Sequence, residues 1–178
     1  MKIKILTKDE VNDYTDDIDK IHLENAYPNN YLIDDDYIIN ADKIFIVFMD
    51  NIVVGYASIN KHELIPDEGS DFNIEISPNN IKIMQLALKK DYQNKGIGTY
   101  LITYIKDYAK INNIDYIYLY SMKDNEKGKK FYLKNDFILS GIWSIDEYKG
   151  IKDFKSLFYS YKKKKKRDIY QMLCFFTQ

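Results

Sequence analysis

A mixed α/β fold is expected from this sequence, on three observations. Residues 81–120 read strand, glycine-bearing loop, helix, strand, the order of a βαβ unit whose crossover makes its two strands parallel neighbours. Residues 43–59 read as two apolar strands either side of Asp50-Asn51, a two-residue turn suited to a tight hairpin. Between the first strand and that hairpin, Val11, Tyr14, Ile18 and Ile21 recur at helical spacing.

Taken in order, Lys2–Leu6 alternates as a first strand, and Asp9–Glu24 follows as a helix with Thr7 as N-cap and Glu10 three residues on. Residues 26–43 mix a proline, asparagines and the acidic triplet Asp34, Asp35, Asp36, and read as a loop with a short second helix. Lys43–Met49 and Ile52–Ile59 form the hairpin. A long connection, Asn60–Asn80, carries Pro66, Gly69 and Pro78, with FNIEI as a further short strand. Ile81–Leu88 is the fourth main strand, Gly98–Lys110 a helix with Leu101, Ile105 and Tyr108 on one face, and Asp115–Tyr120 the next strand. A short helix at Asn125–Lys134 and strands at Phe137–Ile145 and Lys155–Lys162 complete the order.

At 178 residues, 46% hydrophobic and 15% aromatic, the chain suits one domain with a sizeable core, placed at 1–167, and a helical tail over 168–178. The single cysteine, Cys174, can form no internal disulfide. The opening MKIKILTKDE turns charged before any long apolar run, and no stretch reaches the roughly 18 apolar residues of a membrane span. A cytoplasmic protein without a membrane partner is expected, and no metal site. The net charge of −1 conceals an asymmetry, since residues 1–80 hold 17 acidic and 6 basic side chains and residues 81–178 hold 10 and 20. The two halves should prefer partners of opposite charge.

The loop DYQNKGIGTYLI, from Asp91 to Ile102, places Gly96 and Gly98 just before an apolar periodic run. A strand-to-helix bend points free backbone N–H groups toward the positive end of a helix dipole, and such a place binds phosphate. Glycine leaves those groups bare or supplies a positive φ, and Lys95 adds charge beside them. The nucleotide pattern GxxxxGK[ST] is absent, and GxGxxG fails because residue 101 is leucine.

The run Gln93, Asn94, Lys95, Gly96, Ile97, Gly98 resembles the acyl-coenzyme-A loop [RQ]-x-x-G-x-[GA] of the GNAT N-acetyltransferase superfamily. NEKGKKFYLKNDF, Asn125 to Phe137, resembles that family's N-x-x-A-x-x-x-Y-x-x-x-G-F helix, with Asn125 and Tyr132 seven residues apart. Three departures stand out. Gly128 replaces an alanine, Asp136 replaces the glycine before Phe137, and the proline before the loop is missing. An aspartate can adopt the left-handed conformation that ends a helix, so the helix end is expected to survive.

The resemblance implies a central, mostly antiparallel sheet of six to seven strands, splayed at one parallel pair and flanked by about four helices. It implies acetyl-coenzyme A as cofactor, its pyrophosphate held by backbone amides of Gln93–Gly98 with Thr99 and Lys127 nearby. It implies that the edge Leu86, Ala87, Leu88 pairs with the carrier's amide-bearing arm, that the Leu86 N–H polarises the thioester, and that Asn125 bonds the arm. Tyr132 is the expected general acid. For the base, Glu63 and Glu75 precede the fourth strand, with His22 and His62 as further candidates. The acidic N-terminal half suggests a cationic acceptor, a polyamine-like or aminosugar amine or a peptide amine, with Asp34, Asp35 and Asp36 as its contacts. Two alternatives are a toxin-like enzyme acting on charged tRNA through Lys162–Arg167, disfavoured by the acidic acceptor half, and a non-catalytic coenzyme-A-binding module, disfavoured by the presence of Tyr132. Trp143 is a candidate for the acceptor pocket, and the apolar stripe Ile169, Met172, Leu173, Phe175, Phe176 for a homodimer contact.

Overall fold

The computed structural model describes residues 1–25, 40–61, 70–72, 79–148 and 151–162. The expected second helix, most of the FNIEI strand and the tail lie outside them. All seven main strands appear, and an eighth is short: β1 (Lys2–Leu6), β2 (Lys43–Met49), β3 (Ile52–Lys61), β4 (Ser70–Phe72), β5 (Asn80–Leu88), β6 (Tyr116–Met122), β7 (Ile138–Tyr148) and β8 (Ile151–Lys162). They form one sheet in the order β1-β2-β3-β5-β6-β8-β7-β4, so the expected fourth strand is β5. The α-helices described are α1 (Thr15–Asn25), α2 (Ile97–Ile111) and α3 (Glu126–Lys134).

Local chemistry explains the element ends. Asp50 and Asn51 take φ of 50° and 64°, the doubly left-handed turn that matches the twist of a hairpin. The helix expected from Asp9 starts instead as a 3-10 turn, Lys8–Tyr14, and becomes α-helical at Thr15. The Glu10 N–H closes an i→i+3 bond to the Thr7 carbonyl at 3.1 Å, while its carboxylate accepts the Thr7 N–H at 2.9 Å and hydroxyl at 3.0 Å. Thr7 and Glu10 thus form the expected capping box, here at the head of a 3-10 turn. At the end of α3, Asp136 takes φ 59°, with its N–H bonded to Leu133 O at 3.2 Å and the Phe137 N–H to Tyr132 O at 3.1 Å. That pair of bonds is a Schellman motif, so aspartate ends this helix as glycine would.

The sheet is covered on both faces. Against one, α1 buries Ile18 and Ile21 on Leu6, Ile44, Ile46, Val53 and Tyr56. Against the other, α2 buries Ile97, Leu101, Ile102, Ile105 and Ala109 on Phe45, Ala57, Ile83, Ile117 and Leu119, with Phe131 and Tyr132 of α3 packed beside them. Truncating Leu101 or Ile105, both fully buried, would cost about 2–5 kcal/mol.

Only β5 and β6 run parallel among the described pairs, and their pairing covers three positions, Asn80–Tyr116, Ile81–Ile117 and Lys82–Tyr118. β5 continues to Leu88 paired with β3, while β6 continues to Met122 paired with β8. Past Lys82 the two strands part, and the sheet opens a gap between them. A register shift between Ser58 and Ile59 lies beside the point where they separate.

Candidate active site

The gap is where the predicted residues gather. Lys89 N–H donates to Val54 O at 2.9 Å, so the alternation of a strand turns the backbone of Ala87 toward β3 and that of Leu86 and Leu88 into the gap. Of the three expected edge residues, two face the opening and Ala87 belongs to the β3 ladder. The Leu88 carbonyl is already engaged, accepting Asn25 Nδ2 at 2.9 Å and Gln93 Nε2 at 3.2 Å. Asn25 Oδ1 in turn receives Gln93 Nε2 at 2.9 Å, and Glu24 accepts the Lys90 N–H at 2.9 Å. The end of α1 therefore clamps the exit of β5.

Beyond the clamp, Lys90–Tyr92 makes a 3-10 turn and the Gln93 N–H is taken up by Lys90 O at 3.2 Å. The run of amides aimed outward therefore starts after Gln93. Asn94 has φ 59° and Gly96 φ 81°, and the N–H groups of Ile97, Gly98 and Thr99 open α2 with no helical carbonyl to pair with. The two glycines are bare for different reasons. At Gly96 the left-handed backbone decides, since a Cβ there would meet nothing within 4 Å. At Gly98 a Cβ would lie 3.0 Å from the Phe131 ring, so glycine lets α3 sit against the start of α2. Lys95 and Thr99 of this stretch are exposed, the Lys95 ammonium 5.4 Å from the centre of the Tyr92 ring, and Lys127 is exposed in the first turn of α3.

Phe131 seated on Gly98 carries Tyr132 to the same face of the gap. The Tyr132 ring is half-buried among Phe131, Phe137 and Tyr159 at 5.3, 5.9 and 5.4 Å. Burial, with a smaller contribution from Tyr159, pushes its phenol up to about 12. Asn125 caps α3: its Oδ1 accepts the Gly128 N–H at 2.9 Å, and its Nδ2 donates to Ser121 Oγ at 3.2 Å. A Cβ at residue 128 would lie 2.5 Å from Asn125 Nδ2, so an alanine here would require the Asn125 amide to shift.

On the α1 face of the same strand stands a second polar group. The Tyr56 hydroxyl donates to Gln85 Oε1, and His22 Nδ1 lies 3.3 Å from the Tyr56 oxygen. Burial, and then Asp19, raise the Tyr56 phenol well above its ordinary range. Ser58 faces Gln85 across β3 and β5, and Ser58 Oγ and Gln85 Nε2 are both buried without a partner among the described residues. Sequence reading singled out His22 alone here, because cross-strand register has no local signature. It also missed Tyr159, whose buried hydroxyl has no partner among the described residues. Glu63, Glu75, His62 and Asp34–Asp36 lie outside the described residues, as does the side chain of Trp143. A cavity of about 260 Å³ between Lys106, Lys110, Ile114 and Tyr161 lies along the C-terminal half of α2, away from the gap.

A family model described as the acetyltransferase (GNAT) family matches residues 7–137. Among solved structures, Arabidopsis thaliana Naa50 in complex with the bisubstrate analogue CoA-Ac-MVNAL is 19% identical, covering 92% of this chain and 100% of that one at a TM-score of 0.66. The ribosomal-protein-S18-alanine N-acetyltransferase of Escherichia coli is 14% identical, covering 90% and 92% at a TM-score of 0.60. A Bacillus anthracis str. Ames protein assigned as a streptothricin acetyltransferase, in complex with acetyl coenzyme A, is 24% identical over 69% of this chain, at a TM-score of 0.56. The chain spans 63% of that protein's length. At such identities the likeness speaks for the fold, while the family match spans most of the chain. With the splayed parallel pair, the glycine loop and the Tyr132 helix in one place, the chain belongs to the acetyltransferase (GNAT) family, whose members are acetyl-coenzyme-A-dependent acyltransferases.

Proposed function

We propose that this chain moves an acetyl group from acetyl-coenzyme A to a primary amine, by direct attack within a ternary complex in the cytoplasm. The observation that carries the reading is the convergence, at one gap in the sheet, of outward-facing strand amides, a glycine-lined helix start and a half-buried phenol. These features fit the carrier. Leu86 and Leu88 offer strand edge to an extended, amide-bearing arm, and the open space over Gly96 leaves an anion room to reach the amides.

Bound acetyl-coenzyme A would supply an activated acyl group in the form of a thioester. The amides from Asn94 to Thr99, with Lys95 alongside, hold the pyrophosphate, and Asn125 holds the entry to α3 in place. The Leu86 N–H, turned into the gap, is the donor proposed for the negative charge that would grow on the acyl oxygen, and donation there would lower the barrier. Tyr132 gives its proton to the departing sulfur. The amine loses a proton as its nitrogen bonds to the acyl carbon, and Glu63 and Glu75 are the carboxylates proposed to accept it.

The acceptor would approach over the α1 face. Asp16, Asp17, Asp19 and Glu24 of α1 extend the acidic character of the N-terminal half there, which favours a cationic acceptor, a small polyamine or aminosugar or the amine of a peptide. The test is a panel of such amines assayed for acetyl-coenzyme-A-dependent thiol release, alongside calorimetry of coenzyme A binding. Release with at least one amine, suppressed by salt, is the expected result. Absence of coenzyme A binding sinks the reading.

A further inference from the structure

Leu88 sits where the carrier must change partners. The strand edge that suits an extended arm ends there, and the amides that suit a pyrophosphate begin at Asn94. A loose join between the two would let each grip its own half of the ligand in many relative placements, and most of the affinity gained by linking the halves would be lost.

The join is closed by neutral side chains. Asn25, the last residue of α1, gives one Nδ2 hydrogen to Ile21 O at 2.7 Å and the other to Leu88 O at 2.9 Å, and its Oδ1 accepts Gln93 Nε2 at 2.9 Å. Gln93 Nε2 gives its other hydrogen to Leu88 O at 3.2 Å. Both amide groups therefore use every hydrogen they have, and Leu88 O uses both of its lone pairs. A polar network satisfied to that degree is rigid. Gln93 is pinned at its main chain as well, its N–H on Lys90 O at 3.2 Å. Two further links tie the same elements, Glu24 to the Lys90 N–H at 2.9 Å and Asp17 to the Lys89 ammonium at 3.9 Å.

Asn25 is exposed, and water alone would satisfy its amide. Its bonds run instead to residues 63 and 68 positions away in the chain. Those bonds also set how far an added strand can pair. Leu88 O faces the gap with both lone pairs taken, so an arm lying along β5 can bond Leu86 and the Leu88 N–H but finds no acceptor at Leu88. It must leave the strand there, at the turn that leads to the glycine loop.

Resting on the acyl-transfer reading above, we propose that Asn25 is a positioning residue: with Gln93 it locks the amides from Asn94 to Thr99 to the end of β5, so that the arm and the pyrophosphate of one carrier molecule are gripped together. Neither side chain needs to touch the ligand. Gln93, its own N–H already used, serves the loop and not the pyrophosphate.

The test compares the whole carrier with its parts, in the full chain. Dissociation constants are measured for coenzyme A, for its pantetheine half and for its nucleotide half ending in the diphosphate, with wild type, Asn25→Ala, Gln93→Leu and the double variant. Asn25→Ala should weaken coenzyme A about tenfold and leave each half within about twofold. KM for acetyl-coenzyme A should rise alike with kcat unchanged, because Leu86 and Tyr132 are untouched. Gln93→Leu should behave in the same way, and the double variant should be little worse than either, since one bond joins the two side chains. Coenzyme A binding unmoved in Asn25→Ala overturns the proposal, as do halves weakened as much as the whole, which would mark general damage to the site, or losses that multiply in the double variant. A wild-type protein that binds neither coenzyme A nor its halves fails the acyl-transfer reading and takes the lock with it. The expected pattern of affinities in a protein that releases no thiol from any amine upholds the lock and counts against the acyl-transfer reading alone.

Discussion

The two faces of β5 do their work by opposite means. Toward α2 and α3 the site is made of main chain: the Leu86 and Leu88 amides, the glycine loop, and one phenol brought in by a helix that Gly98 allows to sit close. Toward α1 it is made of side chains bonded to one another, His22 to Tyr56 and Tyr56 to Gln85, with Ser58 alongside. Main-chain groups are held by the fold, so they can present donors to a ligand without reorganising. Side-chain groups need mutual support, and half-satisfied ones are costly. Removing the phenol from the face proposed for the carrier should therefore show in catalysis, and removing a side-chain hydrogen bond from the face proposed for the acceptor should show in stability.

The largest test of that contrast is Tyr132→Phe. Loss of a general acid should lower kcat about 10²-fold or more while coenzyme A affinity, measured by calorimetry, stays within about twofold. A variant that loses binding and turnover together would make Tyr132 a wall of the site and remove its proposed role. Next comes Gly98→Ala, which forces a methyl against the Phe131 ring and should cost about 1–3 kcal/mol, read as a fall in Tm. Gly96→Ala should cost about 1–2 kcal/mol through its left-handed backbone alone and leave the α2–α3 contact intact. Equal effects of both on the rate would mean that the two glycines are bare for one shared reason.

On the other face, Tyr56→Phe removes the donor to Gln85 and the partner of His22, and should destabilise the fold by about 1–2 kcal/mol in a denaturant titration without altering coenzyme A affinity. A change in that affinity would show the two faces to be coupled through β5. The smallest effect lies far from the gap. Lys4, at 2.8 Å, and the Thr7 N–H and hydroxyl hold the Glu10 carboxyl down to about 2, against 4.5 ordinarily. Its contribution is present above pH 4.5 and is lost as pH falls from there toward 2. Glu10→Gln should flatten that part of the acid unfolding curve, and an unchanged curve would show the network to be idle.

How much of this was legible beforehand depended on distance along the chain. The hairpin at Asp50-Asn51, the start of α2 at the glycines, the left-handed Asp136 and the spacing of Asn125 to Tyr132 are local, and each could be read from a handful of neighbours. The capping box of Thr7 and Glu10 is legible in the same way, but the 3-10 character of Lys8–Tyr14, before the α-helix starts at Thr15, has no such local mark. Tyr159 was invisible among 17 tyrosines. Nothing near it in the chain marks it, and its ring contact with Tyr132 comes from a helix that begins 33 residues earlier in the sequence numbering and packs beside it.

The amino-acid order by itself determined the family, the bare bend proposed to meet the carrier and the phenol proposed to serve it, because each rests on short-range backbone geometry and on residue types at fixed intervals. Only the tertiary structure decided that β5 and β6 part after Lys82, that Ala87 turns away from the opening while Leu86 faces it, and that Tyr159 lies beside Tyr132. Those outcomes depend on strand register and packing between distant segments, where one residue's shift would exchange the two faces.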